Sequence, residues 1–100
     1  MHDYILLMHN DVPDGQSRSQ HDWSAYFAKL REVGAFQGGS SIGGGACMTK
    51  SAASRPITAH ISGYIRVQAP NLDAAQNLVL GNPVYEAGGT VEVRELPKDS

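Results

Sequence analysis

An α+β domain, with four antiparallel strands and two helices on one face of the sheet, is predicted by three observations in this 100-residue chain. Ile61, Gly63, Ile65 and Val67 alternate with Ser62, Tyr64 and Arg66, the period-two pattern of a strand whose two faces differ. Val91, Val93 and Glu95 alternate with Thr90, Glu92 and Arg94 in a second such strand, from Thr90 to Leu96. Between them lies a helix with its punctuation visible: Asn71 as N-cap, Asp73 in the first turn, Gly81 as the stop and Pro83 just beyond.

Along the rest of the chain, Tyr4 to His9 is the first strand, and Asn10 to Ser17 is a loop rich in turn formers. Ser19 with Asp22 resembles a capping box, Asp standing in for the usual Glu. Trp23, Tyr26, Phe27, Leu30 and Val33 then recur at helical spacing, and Gly34 ends that helix. Ala35 to Met48 is the second strand, although glycines at 38, 39, 43, 44 and 45 suggest a bulge or bend in it. Thr49 to Pro56 is a polar connection. The order βαββαβ is the ferredoxin-like arrangement. Its helix-facing residues are expected to be Ile61, Ile65, Val67, Val91 and Val93. The opposite face would then show Tyr4, Leu6 and Met8 or their alternates, with His60, Ser62, Tyr64, Arg66, Glu92 and Arg94. That surface is too apolar to be wet and too polar for a dry core. Two copies packed sheet to sheet, a homodimer in the manner of a dimeric α/β barrel, would resolve the conflict.

Residues 1–100 are expected to form one domain around a single modest core. An apolar fraction of 41% and a charged fraction of 18% are ordinary for a soluble globular chain. The net charge of −2 argues against nucleic acid or an anionic membrane as partner, since both are bound through surplus Lys and Arg. No apolar run approaches the roughly 20 residues of a membrane helix. Met1-His2-Asp3 lacks a basic n-region, so no signal peptide is expected, and the lone Cys47 suits a reducing compartment. The expected location is cytoplasmic.

The last third of the chain resembles the YCII-related proteins, and among them the branch named for a DGPF motif. The resemblance lies in Gly63-Tyr64 opening a strand, a helix ending at Asn82-Pro83, and Gly88-Gly89-Thr90-Val91-Glu92-Val93-Arg94 as the final strand. Tyr4-Ile5-Leu6-Leu7-Met8-His9 fits the opening strand, and Trp23, Tyr26, Leu30 and Gly34 fit the first helix. The resemblance implies the dimeric α/β-barrel fold over nearly the whole chain. Where the branch carries Asp-Gly-Pro-Phe, this chain reads Ser54-Arg55-Pro56-Ile57. Founding members carry a histidine early in the first helix and an aspartate before the proline after the second, a suspected catalytic pair. Trp23 and Asn82 occupy those positions, with His21 two residues earlier. An indole and an amide cannot exchange protons near neutral pH as an imidazole and a carboxylate do.

Several groups of residues invite a chemical reading. His21, at a helix start, is a candidate general base, its charged form disfavoured by the helix dipole; equally, His21-Asp22 is an ordinary exposed N-terminal turn. His60, Tyr64, Arg66, Glu92 and Arg94 can line a cleft and hold a small anion through the arginines, or form a salt-bridge network that sets dimer geometry. Trp23 belongs to the core stripe or to a ligand site; Asn82 is a turn residue or a ligand contact. The run from Gly38 to Gly45 does not fit a phosphate loop, because Met48-Thr49 rather than a glycine precede Lys50-Ser51. The four histidines form no HxH or HxxxH pair, so no metal and no cofactor are expected, although His9 and His60 can converge from adjacent strands. Cys47 reads as a packing residue. The expected function is a ligand-binding domain for a small polar or anionic molecule. Its contacts would be Trp23, His60, Tyr64, Arg66, Asn82 and Arg94. The alternatives are a cofactor-free enzyme using His21 or His60, and an interaction module that only dimerises.

Overall fold

Strand β1 runs His2–His9, two residues longer than its apolar run, and its side chains alternate strictly between buried and half-buried from Asp3 on. The structure, a computed structural model, describes residues 1–13, 20–50 and 55–98, and for Gln20 and His21 the backbone alone. Ser19 of the expected capping box lies outside the described residues. Helix α1 spans Gln20–Glu32, β2 Phe36–Ser41 and β3 Ile61–Ala69. Two short helices follow, α2 at Leu72–Asn77 and α3 at Pro83–Glu86, and then β4 at Val91–Leu96. The sheet is antiparallel throughout, in the order β2-β3-β1-β4.

Two expectations are corrected. The second strand stops at Ser41 instead of reaching Met48, because Gly43, Gly44 and Gly45 offer no side chains to pack and lie in open space. The second helix is two helices. The first ends at Asn77, capped by Leu78 in the right-handed region, and Gly81, at φ +91, closes the turn that follows. Asn82 then caps a new one and Pro83 stands at its first position, where a missing N–H costs nothing. Of the two sets left open for β1, Tyr4, Leu6 and Met8 face the helices, and their alternates Ile5 and Leu7 face away. Register decides this: Leu6 stands opposite Ile65 and Val93, while Ile5 stands opposite Arg66 and Arg94.

The core lies between the helices and the Tyr4–Leu6–Met8 face. Leu6, Leu30, Ile65, Val67 and Val84 are fully buried there, each contributing roughly 1.5–3 kcal/mol of apolar transfer. Tyr26 and Leu30 carry the buried stripe of α1, with Trp23 and Phe27 half-buried beside them, while Val33 is exposed beyond the helix end. The opposite face presents Ile5, Leu7, Tyr64, Gln68 and Leu96, all half-buried, ringed by Arg66 and Arg94.

The molecule is flat, 46 × 45 × 19 Å, with a radius of gyration of 15.1 Å. A compact chain of this length would have about 13 Å. The described residues of the β2–β3 connection are exposed apart from Cys47. No helix among the described residues is long and apolar enough to cross a membrane.

Candidate functional site

A cleft of about 530 Å³ opens between α1 and the β2–β3 end of the sheet. Its walls follow from local sequence. Trp23 and Phe27, four residues apart on α1, sit on one helix face and stack at 5.6 Å and 27°. Phe36 extends the aromatic row beyond Phe27, and the Arg31 guanidinium covers its ring at 5.0 Å. The floor is Met8, Gly63, Ile65 and Gly39. The glycines create the space. A Cβ on Gly39 would stand 2.6 Å from the Tyr64 carbonyl oxygen, and one on Gly63 would stand 3.1 Å from the Ser40 carbonyl oxygen and 3.2 Å from Met8. Ser40, Ser41, Ser62 and Tyr64 complete the lining, although strand alternation turns the Ser62 and Tyr64 side chains to the opposite sheet face with Arg66. Ser40 Oγ already donates to the Ser41 carbonyl, and Ser62 Oγ to that of Met8, which leaves their lone pairs as acceptors. Among the described residues, no formally charged residue and no pair of titratable groups lines this cleft.

Of the residues singled out in the sequence, Trp23 lines this cleft, and Tyr64 borders it from β3. The others whose side chains are described lie elsewhere. Asn82 is fully buried and structural in geometry: its Oδ1 accepts from the N–H groups of Val84 at 2.9 Å and Tyr85 at 3.3 Å, capping α3. Its Nδ2 has no hydrogen-bond partner among the described residues. It approaches the Tyr26 hydroxyl without reaching hydrogen-bond geometry. That hydroxyl donates to the Leu78 carbonyl at 2.6 Å; burial pushes its pKa up to about 12, and the Asn82 amide draws it back slightly. Lys29 Nζ takes the Leu80 carbonyl at 2.7 Å, so two α1 side chains clamp the turn after α2.

Arg66 and Glu92 do not pair, because β1 stands between their strands. Arg66 Nη2 instead donates to the Gln37 carbonyl at 2.8 Å. The residue that reaches Glu92 is His9, which sequence reading considered only with His60: His9 Nε2 is 3.0 Å from Glu92 Oε1, and Arg94 Nη1 holds Oε2 at 3.0 Å. The two bonds, Arg94 first and His9 second, hold the Glu92 pKa below the usual carboxylate range. His60 lies edge-on to His9 at 5.1 Å. Beside them Asp11 accepts from the Thr90 hydroxyl at 2.6 Å and the Thr90 N–H at 2.8 Å, which lowers its pKa in turn. The signal for His9–Glu92 was present as alternation in two strands, but the pairing needs the strand order. Among the described residues no group of three or more His, Cys, Asp or Glu side chains is placed to hold a metal. The side chain of His21 lies outside the described residues.

No protein-family model matches this chain, and a search of curated proteins finds no match.

Proposed function

We propose that this chain is a small-molecule-binding domain, cytoplasmic and of YCII-related type, that works as a homodimer. The ligand sits in the Trp23 cleft. The observation that carries this reading is a 530 Å³ cavity with a stacked aromatic wall, serines at its edge and, among the described residues, no titratable pair. Ligand sites combine apolar lining with a few placed polar groups, and proton-transfer sites need a titratable pair within reach. The lining also revises the ligand. With Arg66 and Arg94 engaged elsewhere and no cation lining the cleft among the described residues, a flat, uncharged molecule with one or two polar groups fits better than an anion.

The strand order β2-β3-β1-β4 supports the ferredoxin-like reading. Ile5, Leu7 and Leu96 on the face away from the helices support sheet-to-sheet pairing as in a dimeric α/β barrel. Trp23 is the single tryptophan of the chain, so its emission reports the cleft without a label. Titration with a panel of neutral aromatic and of anionic small molecules should quench or shift Trp23 emission with the neutral set. A saturable response to anions alone would overturn the ligand class, and none to either set would remove the site. Light scattering at high micromolar concentration should give twice the 10.7 kDa chain mass. A monomer mass would remove the dimer.

A second reading, a cofactor-free enzyme, is favoured by the carboxylate-held imidazole of His9 with His60 beside it. It requires that His9→Gln or His60→Gln lower a detected turnover about 100-fold or more. Loss below tenfold would leave the binding reading in place.

A further inference from the structure

The four histidines have no ligand spacing in the sequence, yet strand pairing brings two of them together. His9 ends β1, and His60 stands one residue before β3, the strand that pairs with β1. Their rings meet edge-on, with centroids 5.1 Å apart and planes at 76°. The Asn10 N–H donates to the His60 carbonyl at 2.7 Å, so backbone pairing holds the two residues side by side. His60 is exposed and the His9 side chain is 21% exposed, which leaves both within reach of a solute.

That separation suits a shared cation. An imidazole nitrogen ligates Zn(II) at about 2.1 Å and lies about 1.1 Å from its ring centre, so each centroid would stand about 3.2 Å from the metal. Two such centroids 5.1 Å apart subtend about 106° at the metal, close to the tetrahedral angle. His9 also has the outer partner of a metal-ligating histidine. Its Nε2 stands 3.0 Å from Glu92 Oε1, and Arg94 Nη1 holds Glu92 Oε2 at 3.0 Å. A carboxylate there keeps the ring proton on Nε2 and leaves the Nδ1 lone pair for a cation. Asp11, held by Thr90, is near enough to His9 to interact with its charge. Asp11 and Glu92 against Arg94 leave one negative charge in excess around the pair.

We propose that His9 and His60 form a two-histidine site for a divalent transition cation of the Zn(II) and Cu(II) class, with Glu92 as the residue that orients His9. His9 ligates through Nδ1. Since no third His, Cys, Asp or Glu side chain among the described residues joins the group, water completes the coordination. Imidazole donors select Zn(II), Ni(II) and Cu(II) over Mg(II) and Ca(II), which take oxygen. Glu92, opposite Leu7, puts the site on the sheet face away from the helices, so it does not depend on the Trp23 cleft.

The test is calorimetric titration of the full chain, near neutral pH, with Zn(II) alone, Cu(II) alone and Mg(II) alone. The expected result is saturation at one cation per chain for Zn(II), tighter binding of Cu(II) and no response to Mg(II). The electron paramagnetic resonance spectrum of the Cu(II) form should show coupling to two ring nitrogens. His9→Gln and His60→Gln should each weaken Zn(II) binding by roughly tenfold or more and remove one nitrogen from that spectrum. Glu92→Gln should weaken binding roughly 10–100-fold while both nitrogens stay, the mark of a positioning residue. Should His9→Gln fail to fold, His60→Gln, at an exposed position, carries the test. His2→Gln should change nothing. Binding that survives both His9→Gln and His60→Gln, or that is lost in His2→Gln, would overturn the site. So would the lack of saturable Zn(II) or Cu(II) binding below millimolar concentration.

Discussion

Asn82→Ala separates a capping residue from a binding residue at the position where the resemblance places catalysis. The side chain is fully buried, and its Oδ1 serves the N–H groups of Val84 and Tyr85 at the start of α3. Losing an Asn cap typically costs about 1 kcal/mol, within a range of roughly 0.5–2. The Val84 N–H is also buried, and a buried donor stripped of its acceptor costs about 1–3 kcal/mol, a penalty that partly overlaps the first. Removing Nδ2, which has no partner among the described residues, returns some desolvation, while the space left by the amide costs some packing. The net expectation is a loss of about 2 kcal/mol. In a chain of 100 residues this lowers Tm by roughly 8–16 °C. In urea the midpoint should fall at unchanged slope, since the surface exposed on unfolding is the same. The Trp23 response to ligand should survive below the new midpoint. Asn82→Asp keeps the capping oxygen but buries a carboxyl. Burial raises its folded pKa above the unfolded value of about 3.9, so this variant should approach the parent near pH 4 and fall away as pH rises. An Asn82→Ala protein within about 0.5 kcal/mol of the parent would refute the capping argument. Loss of the ligand response at unchanged stability would move Asn82 into the site.

Gly39→Ala should destabilise by about 1–3 kcal/mol in chemical unfolding, because its Cβ would stand 2.6 Å from a backbone oxygen that no rotamer change can move. Asp11 has a folded pKa below its unfolded value, so its bonds to Thr90 add stability above about pH 4 that is lost as pH falls through the folded pKa. Thr90→Val, which removes the hydroxyl donor, should therefore lower the midpoint at pH 7 and flatten its decline in acid. Tyr26 shifts the other way: its stabilisation is complete below pH 10, the ordinary value for a phenol, and is lost as pH rises toward about 12. Tyr26→Phe should be less stable near neutrality, and its stability should change less than the parent's across that alkaline window.

The sequence by itself determined the elements whose signals are local. Alternation at Ile61–Ala69 and Val91–Leu96 revealed two strands because a strand's side-chain period is a property of its own backbone. Asn71 marked the start of α2 because a cap acts within a few residues, whereas Gly81 and Pro83 fell beyond its end at Asn77, where Pro83 opens α3. The orientation of β1 was not legible, since Tyr4, Leu6 and Met8 are apolar and so are their alternates Ile5 and Leu7. A run apolar on both faces carries no phase, and only register against Ile65 and Val93 decided which residues went inward. The division of the second helix turned on Asn82, whose amide reads equally as a turn residue or a cap until Val84 and Tyr85 present their N–H groups to it. Tertiary structure alone placed β1 between β3 and β4, which separated Arg66 from Glu92 and brought in His9, 83 residues away along the chain. The cleft, too, is a tertiary object. It exists because Gly39 and Gly63, from two different strands, leave their side-chain volume empty beneath Trp23 and Phe27. That convergence depends on long-range pairing, which local periodicity does not encode.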